Sequence, residues 1–423
     1  MKTNNTKEPV FSPMLFTCLK SYDKKQFAAD FVSGIIVAII ALPLSIALAL
    51  ASGVGPEEGL YTAIAAGFII SLLGGSTVQI AGPTAAFATI VAGIVAKDGM
   101  SGLVAATILA GLLLVIMGLL RMGNLIKFIP NCITVGFTGG IAVTIVAGQL
   151  KDFFGITFSA GLKPIETLEK ISAVVHCFDT ANVLAVLVGV FSLIILIFWP
   201  RVPKVGQKIP ASLIAVLFGI FLVKLSSMYV NTIGDLYVIR SGLPKLKVPE
   251  FSFDVIKNSI GNAATIAILA AIESLLSCVV ADTMTGDKHR PNTELIAQGL
   301  GNIGSALFGG IPATGAIART AANIKNNGKT PVAGIVHALL LILVLVVLMP
   351  FAALIPMPTI AAILFVVAYN MCGWRKFVAV FNTKNLADIS VLMVTFILTV
   401  CFDLVVAIIA GLALFYIIKL ITK

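Results

Sequence analysis

The sequence predicts an all-α polytopic membrane protein of about fourteen transmembrane segments, arranged as a 7+7 inverted repeat. Three observations predict it. Of the 423 residues, 59% are hydrophobic and only 11% charged. Apolar runs of about 20 residues, the length that crosses a bilayer core, recur along nearly the whole chain. Two runs, the third of each half, are short, broken and alike.

In order, the runs fall near 31–51, 57–73, 82–96, 102–120, 132–150, 181–199, 209–228, 259–281, 293–308, 314–324, 331–349, 354–371, 386–401 and 403–419. The first is too long for a signal-peptide core, lacks a cleavage site and is followed by many more, so it reads as a permanent span. The polar stretch from Lys224 to Lys257 lies near the midpoint and divides the set evenly. The expected organisation is an N-terminal segment (1–29), a first repeat (30–228), a central loop (229–257) and a second repeat (258–420).

The net charge of +10 is carried in short loops rather than on one face, which argues against nucleic acid. Lys20, Lys24, Lys25, Arg121, Lys127, Arg201, Lys204, Lys208, Lys288, Arg290, Lys325, Lys329, Arg375, Lys376, Lys419 and Lys423 fall on one side. The other side holds roughly half as many, so both termini are expected in the cytoplasm and the central loop outside, in an inner (plasma) membrane. An odd number of segments per half turns the second half upside down. Six scattered cysteines without a CxxC pair, three dispersed histidines (His176, His289, His337) and no P-loop imply no disulfide, metal, nucleotide or redox cofactor. Each histidine reads as structural. No nucleophile with a base is visible, so an enzyme is not expected.

The broken runs are LLGGSTVQIAGPTAAFATI (72–90) and LFGGIPATGAIARTAANI (307–324). Each has an LxGG turn, a short extended piece and then small residues opening a helix. Irregular backbone at membrane depth survives only where it lines a cavity or is buried in protein, so the two should face each other inside. A helix that begins there leaves its first N–H groups unpaired and carries about half a positive charge; two such starts favour an anion. Small residues at Thr84, Ala85, Ala86, Gly315 and Ala316 let a ligand approach the backbone. Arg319, one helical turn beyond Gly315, adds a full charge on the same face.

Glu273 is the other isolated charge. An ionisable group within a span is a functional candidate by default, and Ser277, one turn on, shares its face. A tie between Glu273 and Arg319 that only holds two helices together is the plainer reading. Asp30 and Asp403 lie at the ends of apolar runs and read as N-caps.

At these residues the chain resembles a known family. AAIESLLSCVVADTMTGDKHRPNTELIAQGLGNIGSALFGGIPATGAIARTAANIKNNGKTPVAGIVHA, DFVSGIIVAIIALPLSIALALASG and VIRSGLPKLKVPEF look like the SulP sulfate permeases, bacterial relatives of the solute carrier 26 anion transporters. The resemblance spans about residues 28 to 420. It implies a core domain and a gate domain, with half-helices at segments 3 and 10 holding a small inorganic or dicarboxylate anion and segments 1 and 8 completing the pocket. Thr84, Ala85, Ala86 and Phe87 match the opening of segment 3; Gly315, Ala316 and Ile317 match that of segment 10. Arg319 matches its arginine, and Ser45, after Pro43, lies where segment 1 touches substrate. Glu273 matches the acidic residue of segment 8, which is glutamate in several members read as H+-coupled and aspartate in Na+-coupled bicarbonate members; Ser277 takes the place of a hydroxyl in the latter. Members usually continue into a cytoplasmic STAS domain, whereas this chain stops at Lys423, so the resemblance covers the transport core without it. It also admits a homodimer. The expected function is proton-coupled symport of sulfate, bicarbonate or a C4-dicarboxylate; sodium-coupled bicarbonate symport, anion exchange and an anion channel are the alternatives on the same fold.

Overall fold

In the computed structural model the described residues are 9–124, 130–159, 162, 164–203, 206, 209–225, 229–239, 242–244, 246, 253–383, 385–402 and 404–421. After a short turn, Met14–Cys18 (α1), the Asp23 side chain accepts the Gln26 N–H at 2.6 Å and starts the first span, Lys24–Ala51 (α2). Proline at the first helical position, where its missing N–H costs nothing, opens Pro56–Leu73 (α3). An extended piece with a two-residue strand, Ala81–Gly82 (β1), then leads through the turn Ala85–Phe87 into Ala88–Leu119 (α4). Gly99, at φ +68°, splits α4 into the two predicted runs, because that backbone conformation interrupts a helix and suits glycine.

The first half continues as Asn131–Phe154 (α5), Thr167–His176 (α6), Val183–Phe198 (α7), Ala211–Leu225 (α8) and the short Ile233–Leu236 (α9). The second half runs Phe253–Thr285 (α10), Pro291–Leu307 (α11), the strand Thr314–Gly315 (β2), Ile317–Lys325 (α12), Val332–Val347 (α13), Met349–Ala352 (α14), Met357–Cys372 (α15), Trp374–Asn382 (α16), Leu386–Cys401 (α17) and Leu404–Ile421 (α18). Every predicted run corresponds to a helix or, within α4, to part of one. Six described helices are long and apolar enough to cross a bilayer, and four more are shorter and apolar. α3, α11 and α12 are outside both sets by length and composition: α12 has nine residues, and α11 carries Glu294, Gln298, Asn302 and Ser305, all fully buried.

Packing divides the helices into two groups. In one, α4 lies along α10 and α11 while α13 lies along α2 and α3, so each half contributes to the other's packing in mirrored fashion. The α4–α11 crossing is close because Gly111 and Gly299 face each other, and a Cβ on either would collide with the carbonyl of its opposite. In the other group α5 and α15 form the centre, flanked by α17 with α18 and by α7 with α8. Contact between the groups is sparser, carried by α2 against α8 and α15 and by Thr89 Oγ1 3.4 Å from Thr144 Oγ1.

Asp30 does not cap its own helix. Asp23 does that, and Asp30, fully buried within α2, accepts the Lys329 N–H at 2.8 Å and the Thr330 hydroxyl at 2.6 Å, tying the turn before α13 to α2. Asp403 lies outside the described residues, as do Lys127, Lys204, Lys208 and Lys423.

Candidate functional site

The broken segments meet as expected. β1 and β2 pair antiparallel, Ala81 opposite Gly315 and Gly82 opposite Thr314, and the Ala316 N–H extends the pairing by donating to Ile80 O at 2.9 Å. The pair satisfies backbone groups that would otherwise be left unpaired inside the protein. The chain then turns into α4 on one side and α12 on the other, and neither start carries a side-chain cap.

α10 brings its carboxylate to this junction. Thr84 Oγ1 donates to Glu273 Oε2 at 2.9 Å and Thr314 Oγ1 donates to the same oxygen at 3.0 Å, with the two hydroxyls 3.2 Å apart. Beside it Ser274 Oγ accepts the Gly315 N–H at 3.1 Å. One helix therefore touches both broken segments. Ser277 is fully buried one turn further on, and its hydroxyl has no protein partner.

Gly315 belongs to β2, so Arg319 stands in the first turn of α12 rather than one turn beyond a helical glycine. Its guanidinium turns inward, leaving the residue 1% exposed. Nη2 donates to Ser45 Oγ at 3.3 Å and to Pro83 O at 3.2 Å. The structure thus joins Ser45 to the site through Arg319. A Cβ on Gly82 would collide with Nη1, so only glycine leaves the guanidinium its place. No ion pair joins Arg319 to Glu273, whose carboxylate is held by Thr84 and Thr314 instead. The plainer reading of those two charges as a mutual tie is therefore set aside.

Ala85, Ala86 and Phe87 are buried in the turn that opens α4; Ala316 is half-buried and Ile317 is 47% exposed. A cavity of ≈ 300 Å³ begins at Ala86 and Thr89, follows one face of α4 to Lys97 and Asp98, and is closed on its far side by Thr144 of α5 and Thr399 of α17. It lies between the two helix groups and reaches the turn that opens α4.

Sequence reasoning missed the groups that anchor the strands. Glu294, fully buried, accepts from the Gly75 N–H at 2.9 Å, Gln79 Nε2 at 2.6 Å and Gln298 Nε2 at 2.8 Å. Asn302 donates to Ala313 O at 2.9 Å and accepts the Ala313 N–H at 2.8 Å. Their positions at every fourth residue of α11 were the available signal, since a polar stripe on a membrane helix has to face protein.

Known proteins carry the same architecture. The model of the Sulfate permease family matches residues 27–395. YvdB of Bacillus subtilis, named for sulfate transport, is 43% identical over 404 residues, covering 94% of this chain and 74% of the relative. The bicarbonate transporter BicA of Picosynechococcus is 31% identical over 402 residues, covering 92% of this chain and 69% of the relative. The solved transmembrane domain of a cyanobacterial BicA superposes with a TM-score of 0.81 at 29% identity, covering 92% of this chain and 98% of that one. With two broken segments paired inside a polytopic all-α membrane protein and a family match across most of its length, the chain belongs to the sulfate permease family, whose members are transporters and not enzymes.

Proposed function

We propose that the protein is a secondary active transporter that carries a small anion together with a proton by alternating access. The observation that carries this reading is Glu273, a lone carboxylate held by Thr84 and Thr314 where the two strands cross, with the buried Arg319 guanidinium behind Pro83. Thr84 to Phe87, Gly315 to Ile317, Ser45 and Arg319 form the anion's surroundings, and Glu273 with Ser277 forms the coupling group. An anion beside the helix starts and an ionised Glu273 repel each other, so anion binding and protonation favour each other by the same factor. Neutral Glu273 and the bound anion then cross as a unit while the group containing β1 and β2 moves, as the core, against the gate built on α5 and α15. The names of the relatives make sulfate and bicarbonate the first substrates to try, followed by C4-dicarboxylates.

The test imposes an inward proton gradient without sodium on proteoliposomes and follows uphill uptake of labelled sulfate, bicarbonate and succinate. Wild type accumulates one of them; Glu273→Gln loses accumulation and keeps exchange. Accumulation that survives unchanged in Glu273→Gln would sink proton coupling. Sodium dependence would favour the second reading, sodium-coupled bicarbonate symport, which the oxygen-rich setting of Glu273, Thr84, Thr314 and Ser277 also supports. Uptake without counterflow would point to a channel.

The orientation is part of the same proposal. Cys177 is only 7% exposed, which makes it a poor reporter for the outer loop. A cysteine at Tyr229, which is 92% exposed, should react with an impermeant thiol reagent added outside intact cells, and one at Lys288 should not. The opposite labelling pattern reverses the topology.

A further inference from the structure

Arg319 and His337 are both fully buried, and each leaves polar atoms without a protein partner: Nε and Nη1 of the arginine and both ring nitrogens of the histidine. They occupy one groove. Its walls are Ala63 and Gly67, one turn apart on α3, and Ala81 and Gly82, adjacent on β1. Nη1 lies against Gly82, where a Cβ would also come within 3.6 Å of Ala63 Cα. A Cβ on Gly67 would lie 3.3 Å from Ala81 O and 3.8 Å from His337 Nδ1.

The open atoms specify what can join them. Three guanidinium N–H groups, one on Nε and two on Nη1, and one imidazole N–H need acceptors, and the other imidazole nitrogen needs a donor. A bare anion accepts but cannot donate, so it leaves that nitrogen unpaired. Water does both, and buried waters typically make about three hydrogen bonds to such groups. Gly67 leaves room at the place such a water needs, between Nδ1 and Ala81 O.

We propose that a buried water site over Gly67 links His337 to the back edge of Arg319, making His337 the residue that positions the guanidinium toward Ser45 and Pro83. This inference rests on the reading of Arg319 as part of the anion site. His337 itself does not touch the anion. It acts by holding the water, which holds Nε and Nη1, so the remaining Nη2 keeps its direction.

The experiment measures KM and Vmax for labelled sulfate, bicarbonate or succinate, whichever wild type takes up, in proteoliposomes. The variants are Arg319→Ala, His337→Leu, His337→Gln and Gly67→Ala. His337→Leu should raise KM about tenfold with Vmax within about twofold, the split of a binding-geometry defect, whereas Gln, which offers both a donor and an acceptor, stays within about threefold of wild type. Gly67→Ala, whose methyl takes the water's place and stands 3.3 Å from Ala81 O, a tight contact that a shift of a few tenths of an ångström relieves, should match His337→Leu. If Leu does not fold, the glycine and glutamine variants still decide. A wild-type KM in Gly67→Ala or His337→Leu, or glutamine as impaired as leucine, overturns the inference provided Arg319→Ala is impaired. A wild-type KM in Arg319→Ala overturns the site reading beneath it.

Discussion

Aligned on Gly75 and Gly310, the two broken segments place Thr84 of the first where the second has Arg319, and Gln79 where the second has Thr314. Their strands pair in register, yet their anchors differ in kind. The first is held by a carboxylate, Glu294, through the Gly75 amide and Gln79; the second by neutral groups, Asn302 on Ala313 and the Thr62 hydroxyl, which accepts the Ile311 N–H at 2.7 Å. The first opening runs on into the long α4, whereas the second is a nine-residue helix bearing the cation. A repeated backbone can thus keep its geometry while each copy is fastened by different chemistry. The strand pair needs its amides satisfied, not any particular partner.

The largest effect expected from breaking one side of this comparison is on stability. Asn302→Leu strands both the N–H and the carbonyl of Ala313 in a buried place, at a cost of about 2–4 kcal/mol, and should lower the unfolding temperature in detergent markedly. An unchanged unfolding temperature would mean that pairing with β1 alone holds β2. Next comes the charge that only the second opening carries. Arg319→Ala should raise the anion's KM at least about tenfold in a protein that still folds and inserts, whereas Thr84→Ala at the corresponding position should not reach half of that on a logarithmic scale. Equal losses would erase the distinction between the openings.

Gly82→Ala sharpens the same point without touching the charge. The new methyl meets the end of a flexible side chain, so the fold should survive while the guanidinium is displaced, with KM rising by about three- to tenfold. Saturation curves for each labelled anion read this directly, and wild-type affinity would show that the direction of Arg319 is unimportant. The smallest effects belong to the hydroxyls on Glu273. Thr84→Val and Thr314→Val each remove one of two hydrogen bonds to the same oxygen, so each should shift the pH profile of uptake by the same amount, of about half to one unit. Unequal shifts would show that one opening governs the carboxylate.

How much was legible follows from the range of the interactions. Bilayer length and helix-opening residues are local, so the apolar runs and the turns at Gly74–Gly75 and Gly309–Gly310 could be read directly, and the likeness of the two stretches was enough to foresee that they meet. Glu273 and Arg319 stood out because charge is rare inside a span. Their lack of a bridge was not legible, since the direction of a guanidinium depends on Ser45 and Pro83, which lie far away in the chain. Glu294 was passed over for a related reason: one polar side chain in an apolar run is hard to weigh until its neighbours across the fold are known. Asp30 was assigned an end-cap but caps no helix: it ties the turn before α13 to α2, and spacing along the chain does not show which distant turn a buried carboxylate meets.

The register of β1 with β2 has a consequence for the origin of the chain. Since Gly75 corresponds to Gly310, Ile80 corresponds to Gly315 and Ala81 to Ala316. Ala81 faces Gly315, Gly82 faces Thr314 and the Ala316 amide reaches Ile80, so the pairing is symmetric about the point between positions 80 and 81, where the approximate twofold axis passes between the strands. A polypeptide of half this length would own one such strand with nothing beside it, and inside a membrane it could close the gap only by meeting a second copy inserted the other way up. In that ancestral pair an arginine at the Arg319 position would have confronted its own image across the axis. Joining the copies into one polypeptide removed that constraint, which is how a site lying on an axis of symmetry can hold a single cation.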